Sequence, residues 1–213
     1  MINIFFNAYT ISLLIAYLLG SIPFGIIVAK LFHKGDLRKI GSGNIGATNV
    51  MRVGGLRLAG LVWVLDMAKA MLAVWLCSNV GSATFGYEYI PSVALVYGAW
   101  GGFMAVVGHC FPIWLKFHGG KGVSCLFGVL LAINPMLFVV CGVEWLLVAL
   151  GSGYSSLGAV VTFCFMPLFG FFTGFDMGIA FLAIALLCLW QHRANILRLI
   201  SGKESKIEWK WKK

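Results

Sequence analysis

Acidic side chains are scarce in this chain: Asp and Glu number seven in 213 residues, and charged residues of both signs make up 11%. A soluble domain carries roughly a quarter of its residues charged, so this composition argues against a surface facing water. Mean hydropathy is +0.94. Paired cysteines are also missing. Cys77, Cys110, Cys125, Cys141, Cys164 and Cys188 stand singly in apolar segments, which leaves no basis for a Cys-x-x-Cys zinc site or a disulfide framework. Buried free thiols are expected. Short alternating strands, the mark of a β-barrel, are absent too. The first ten residues hold no Lys or Arg, so the first apolar stretch is read as a retained helix and not as a cleavable signal peptide.

Long apolar runs are what the chain does have. Residues 9–31, 56–77 and 92–115 can each cross a hydrocarbon core about 30 Å thick, which takes about 20 helical residues. Backbone in lipid must satisfy its own hydrogen bonds, so an all-α polytopic transmembrane bundle is expected. Residues 122–150 and 155–192 are each too long for one span and short for two, with interruptions at Asn134–Pro135 and near 172–176. Five or seven helices fit, seven being the expected number. No repeat or separate soluble domain is visible, and residues 1–213 are read as one domain with a basic tail over about 199–213.

Of the 16 Lys and Arg, six lie within residues 30–57, two are Lys116 and Lys121, and seven lie within 193–213; the last is Lys69. The positive-inside rule places all three basic regions in the cytoplasm, with the N-terminus outside. The turn at 151–156 is outside with five spans and inside with seven. The tail suits an anionic lipid surface, or is simply solvated.

Three stretches carry chemistry. The first, residues 41–52, contains Gly41, Ser42, Gly43, Asn44, Thr48, Asn49 and Arg52. Its glycines permit close backbone approach to a ligand, its short side chains offer hydrogen bonds, and Arg52 offers a planar cationic fork. Such a loop can cup an anion, although a turn with a snorkelling Arg explains it as well. It lacks the Gly-Lys-Ser/Thr ending of a P-loop. The second, residues 108–123, holds His109 and then Gly119, Gly120, Lys121 and Gly122 before an apolar helix, whose positive end favours anions. His109 taken alone reads as a packing histidine. The third, residues 192–198, holds His192 and Asn195 on one helix face, with Arg193 and with Arg198 as an interfacial anchor. Asp66 and Lys69, mid-helix at i and i+3, read as a structural pair, since intramembrane charges demand partners. No acid lies inside the three stretches, which disfavours a Mg²⁺ site. A centre built from cations and amides to stabilise anions fits better.

At these residues the sequence resembles the bacterial acyl-phosphate:glycerol-3-phosphate acyltransferases, the PlsY family. The carriers are residues 20–25 (GSIPFG), 41–52, 108–123 and the HRxNIxR pattern at 192–198. It departs at His118, often Lys in the family, at Ala70, usually Gly, and at Ser124, often Ala. The resemblance implies transfer of a fatty acyl group from acyl-phosphate to the sn-1 hydroxyl of glycerol-3-phosphate. The products are lysophosphatidic acid and phosphate, at the first step of phospholipid synthesis. It also implies seven spans, a bacterial inner-membrane location and an active site facing the cytoplasm, with no cofactor and no metal. Ser42, Asn44, Lys121, His192 and Asn195 are expected at the acyl-phosphate head. Arg52 and Arg193 are expected on glycerol-3-phosphate, lined by Gly41, Gly43, Thr48, Asn49, His109, Gly119 and Gly120. The base is His192 or a substrate phosphate. Membrane lipids surround the chain, no nucleic-acid partner is expected, and functional coupling to the enzyme supplying acyl-phosphate is. No His is followed five residues on by Asp, so the likeness does not extend to acyltransferases using His-x₄-Asp. An organic-phosphate transporter and a membrane scaffold are the rival readings. The first calls for cationic or half-helix elements near the membrane midplane, and the second for tolerance of change at Ser42, Arg52 and Lys121.

Overall fold

The computed structural model describes residues 2–40, 43–85 and 90–207, with side chains from residue 8 onward. Those residues are helical and contain no strand. The helices are α1 (Ile2–Ser21), α2 (Phe24–Leu31), α3 (Ala47–Phe85), α4 (Pro91–Cys110), α5 (Val123–Ile133), α6 (Pro135–Ser152), α7 (Ser155–Thr173), α8 (Phe175–Gln191) and α9 (Arg193–Ile200). Five stretches are long and apolar enough to cross a membrane: Ala8–Leu31, Ala47–Phe85, Pro91–Leu115, Pro135–Ser152 and Ser155–Thr173. In addition, α8 and α9 form a pair bent by 61°, and α5 is a shorter apolar helix. The protein is thus an all-helical, multi-pass membrane protein. Leu147, Phe172, Phe175 and Leu186 are among many large apolar side chains left exposed, as a lipid solvent allows.

Each interruption has a local cause. Pro23 caps α2 with non-helical dihedrals (φ −89°, ψ 70°), because a proline has no N–H to continue the ladder from α1. Asn134 ends α5 and starts α6: its side-chain oxygen accepts from the N–H groups of Met136 and Leu137 at 3.0 and 3.1 Å, with Pro135 at the first helical position. That combination starts helices generally. Gly174 separates α7 from α8.

Helix α3 departs from the sequence expectation at both ends. From the sequence, residues 34–55 read as a cytoplasmic loop, 56–77 as the span and 79–91, with Glu88, as an outer loop. Instead the helix begins at Ala47, bends at Gly55 (φ 78°, ψ 180°) and runs to Phe85. The polar side chains of its last turns bond backwards along the helix. Asn79 donates to the Trp75 carbonyl and Ser82 to the Ser78 carbonyl, both at 2.6 Å. Glu88, assigned to the outer loop, lies outside the described residues.

The core is where α1, α3, α4, α5 and α8 meet, around Ala70, Ala105, Val106, Leu126, Phe181 and Ile184. Small residues let these backbones touch. A Cβ on Gly20 would lie 2.1 Å from the Ala105 carbonyl oxygen, and one on Gly108 would lie 2.1 Å from that of Tyr17. These two contacts lock α1 to α4. The turn between α6 and α7 sits beside the chain's basic end: Thr48 and Ser155 hydroxyls are 3.4 Å apart, and the Ile207 N–H donates to the Gly153 carbonyl at 2.8 Å.

Gly20→Val forces the α1–α4 contact apart, because backbone atoms cannot yield as a side-chain tip can. It should destabilise the folded protein by about 3 kcal/mol or more, read as a lower unfolding midpoint in detergent. An unchanged midpoint would mean that the two backbones are not in contact.

Candidate functional site

Two of the three chemistry-bearing stretches meet at Lys121. Its ammonium donates to the Asn195 side-chain oxygen at 2.5 Å. The Asn195 amide nitrogen in turn donates to Glu204 at 2.6 Å. That network fixes which way the amide faces. Glu204 also accepts from Ser156 at 2.7 Å and from Arg198 at 2.6 Å. The first stretch joins through Arg52, which donates to Ser205 at 2.8 Å and whose charge acts on Lys121. Lys121, Arg52, Arg198, His192, Asn195, Ser156 and Glu204 thus gather at one end of the bundle.

Local structure explains how each group is presented. In the second stretch, the chain leaves α4 through a 3₁₀ turn at Ile113–Leu115 and returns to it. The N–H of Gly119 goes to the Cys110 carbonyl at 3.1 Å and that of Gly120 to the His109 carbonyl at 2.9 Å. These two N–H groups are therefore spent inside the loop. What the loop offers a ligand is Lys121 and the first turn of α5, which starts after Gly122 (φ 87°) with no side-chain cap. In the first stretch, buried Asn49 gives its amide hydrogens to the carbonyls of Leu37, Ile40 and Asn44 at 3.0, 3.0 and 2.8 Å. It clasps the loop together. The half-buried Asn44 keeps a side-chain oxygen with no hydrogen-bond partner among the described residues. Gly43 and Thr48 are exposed. Gly41 and Ser42 lie outside the described residues.

His192 sits at the bend beyond α8, buried against the Phe163 ring at 5.2 Å between centroids. Its Nδ1 is 2.8 Å from the Cys188 carbonyl. A carbonyl only accepts, so Nδ1 carries the proton and Nε2 keeps a free lone pair. Burial pushes the pKa down to about 4, which keeps the ring neutral at pH 7. Burial likewise lowers Lys121, with Arg198 and Arg52 adding to the effect and Glu204 opposing it, to about 8. Despite its burial, Glu204 is held below the usual carboxylate range by hydrogen bonds from Ser156, Asn195 and Arg198.

Two residues expected in this cluster are not brought to it. Arg193 turns to Trp190, donating to its carbonyl at 2.9 Å and lying 4.8 Å over its ring. Arg198, read from sequence as an anchor, is the arginine that meets Glu204. His109 is buried in a separate group with Asp66 and Lys69. Asp66, His109 and Cys125 bring three possible metal-ligating atoms within 4.8 Å. The Lys69 ammonium stands 2.6 Å from the Asp66 carboxylate and 3.1 Å from His109, and so already supplies the positive charge there. Sequence reading missed Glu204 and Ser156. Glu204 had one signal, an acid among the seven cations of 193–213.

A cavity of about 970 Å³ lies at the opposite end of the bundle, lined by Tyr9, Trp100, Phe103, Asn134 and Asp176 among others. Its wall is apolar and its one ionisable acid is Asp176. The Lys121 cluster brings three cations, an amide and the unprotonated Nε2 of His192 together, and the chemistry is read there.

Residues 10–202 match the family described as glycerol-3-phosphate acyltransferase. The chain is similar to a glycerol-3-phosphate acyltransferase of Rhizobium etli, 44% identical over 91% of this chain and 88% of the relative. One of Rhodospirillum rubrum is 45% identical over the same shares. Among solved structures it is similar to PlsY, an integral membrane glycerol 3-phosphate acyltransferase, in its glycerol 3-phosphate form. That likeness has TM-score 0.81 and 33% identity, and covers 94% of this chain and 96% of the other. The lysophosphatidic acid form gives TM-score 0.77 and 34% identity, over 93% and 94%. With sequence, fold and length all in agreement, the chain belongs to the PlsY family of integral membrane glycerol-3-phosphate acyltransferases.

Proposed function

We propose that the Lys121 cluster transfers a fatty acyl group from acyl-phosphate to the sn-1 hydroxyl of glycerol-3-phosphate, giving lysophosphatidic acid and phosphate. One observation carries this reading. Three cations, Lys121, Arg52 and Arg198, converge on a site whose one near carboxylate among the described residues, Glu204, is already engaged by three donors. Such an excess of positive charge suits two phosphate groups held side by side. An acyl-phosphate is already activated, so positioning and charge stabilisation suffice.

Asn44, Lys121 and Asn195, with Ser42 from the first stretch, hold the acyl-phosphate head. Arg52 holds the phosphate of glycerol-3-phosphate, with Lys121 shared between the two substrates. Arg193, directed at Trp190, is left to anchor α9 at the interface. Nε2 of His192 accepts a hydrogen bond from the attacking hydroxyl and orients it. That oxygen bonds to the carbonyl carbon, the carbon–oxygen bond to phosphate breaks, and the phosphate leaves carrying the hydroxyl proton. A ring with a pKa of about 4 aligns a hydroxyl but does not retain its proton, so the substrate phosphate is the terminal base. The acyl chain rests between helices in the lipid.

The whole chain acts as a single domain. Counting α1 with α2 as one span and adding α3, α4, α5, α6, α7 and α8 gives seven membrane segments. The N-terminus is outside, and the basic end and the site face the cytoplasm of a bacterial inner membrane.

Purified protein should release phosphate from palmitoyl-phosphate only when glycerol-3-phosphate is present, and palmitoyl-CoA should not serve as donor. Turnover of palmitoyl-CoA would refute the donor assignment. Lys121 binds phosphate as an ammonium, which is present below its pKa and lost above it. With that pKa at about 8, kcat/KM for glycerol-3-phosphate should hold near pH 7 and fall about tenfold per unit above pH 8. Lys121→Met should remove this alkaline limb and lower kcat/KM by about 10²-fold or more. His192→Ala should lower kcat by about 10²-fold, and undiminished turnover would exclude His192 from the reaction.

A further inference from the structure

Lys69 is the one cation outside the three basic stretches, and the Lys121 chemistry does not use it. It lies 4% exposed, midway along α3. Its ammonium reaches three partners on three elements. It donates to the Ile22 carbonyl at the α1/α2 break at 2.8 Å, donates to Nδ1 of His109 at the end of α4 at 3.1 Å, and forms an ion pair with Asp66 at 2.6 Å. It also lies 5.7 Å over the Phe24 ring of α2.

Two of these partners, Ile22 and His109, lead directly to the phosphate-handling stretches. Past Ile22, α2 carries Gly25, where a Cβ would stand 1.8 Å from the Ile45 carbonyl oxygen. The backbone of the first stretch therefore rests on α2 with no side chain between them. Past Lys69, the His109 ring lies against Gly120, where a Cβ would stand 2.0 Å from Nε2, and the His109 carbonyl holds the Gly120 N–H. Gly120 adjoins Lys121. The loop's height above the bundle is therefore set by the tilt of an imidazole, and the imidazole is set by Lys69. We infer that Lys69, with Asp66 as counterion and His109 as lever, is a positioning residue that holds the Arg52 loop and the Lys121 loop in mutual register.

The inference rests on the proposed use of Lys121 and Arg52 for phosphate. Asp66→Asn/Lys69→Met removes both charges together, so neither remains bare in the bundle. His109→Phe keeps a ring against Gly120 but removes the acceptor, and His109→Asn restores an acceptor at the place of Nδ1. Wild type and variants are purified in detergent, and KM and kcat for glycerol-3-phosphate are measured beside the unfolding midpoint. The double variant and His109→Phe should raise KM about tenfold or more with kcat changed less, as loss of alignment does. His109→Asn should return KM to within about threefold of wild type. Folded variants with wild-type KM would overturn the role. So would failure of every variant, His109→Asn included, to fold, because the group would then serve structure alone. A wild-type protein unable to use glycerol-3-phosphate would instead refute the reading of the site itself.

Discussion

Hydrocarbon has no water to take up a hydrogen bond that the backbone leaves unmade, and each unsatisfied group there costs several kcal/mol. This protein nevertheless breaks its helices within or near the bilayer at Pro23, Asn134 and Gly174. Every break needs a substitute partner. Asn134 supplies its own side chain to the next helix. The Ile22 carbonyl is met by a buried ammonium from another helix, which in turn requires Asp66. Removing one member of such a pair costs about 3–5 kcal/mol, so a break in α1 commits α3 to carrying two charges. The interior of the bundle is arranged around that commitment.

At the basic end the problem reverses, because like charges must be kept together. Lys121, Arg52 and Arg198 would repel one another with nothing between them. Glu204 offsets part of that repulsion, and it is engaged by Ser156 and Asn195 as well as Arg198. Among the described residues, one carboxylate against three cations leaves a net positive site, which suits phosphate dianions. Burial of Lys121 sharpens the same preference, since a poorly hydrated ammonium gains more from an arriving anion than a solvated one does.

Much of this was legible in the sequence because lipid leaves few options. The apolar runs, the Pro23 and Asn134–Pro135 breaks and the three polar stretches were all visible. His192 and Asn195, three apart, do share the buried side near Lys121. Extension of α3 to Phe85 was not legible, because Ser and Asn read as loop formers until their back-bonds to the helix are seen. The different surroundings of Arg193, at Trp190, and Arg198, at Glu204, were not legible either. Five helical positions turn about 140°, so only one of the two can face inward, and sequence alone does not say which side of an eight-residue helix is inward. Glu204 was overlooked because its partners lie 6, 9 and 48 positions away. Such pairing is created by the fold.

The docking of Glu204, Lys206 and Ile207 beside the α6–α7 turn has a consequence for biosynthesis. All the described helices emerge from the ribosome before Glu204 does, and Glu204 reaches Ser156 by way of the turn after α9. Until then the inserted chain holds its cations uncompensated at the membrane surface. Completion of the cluster around Lys121 therefore waits on the synthesis of Glu204, after every described helix has been made, and not on insertion of the bundle alone.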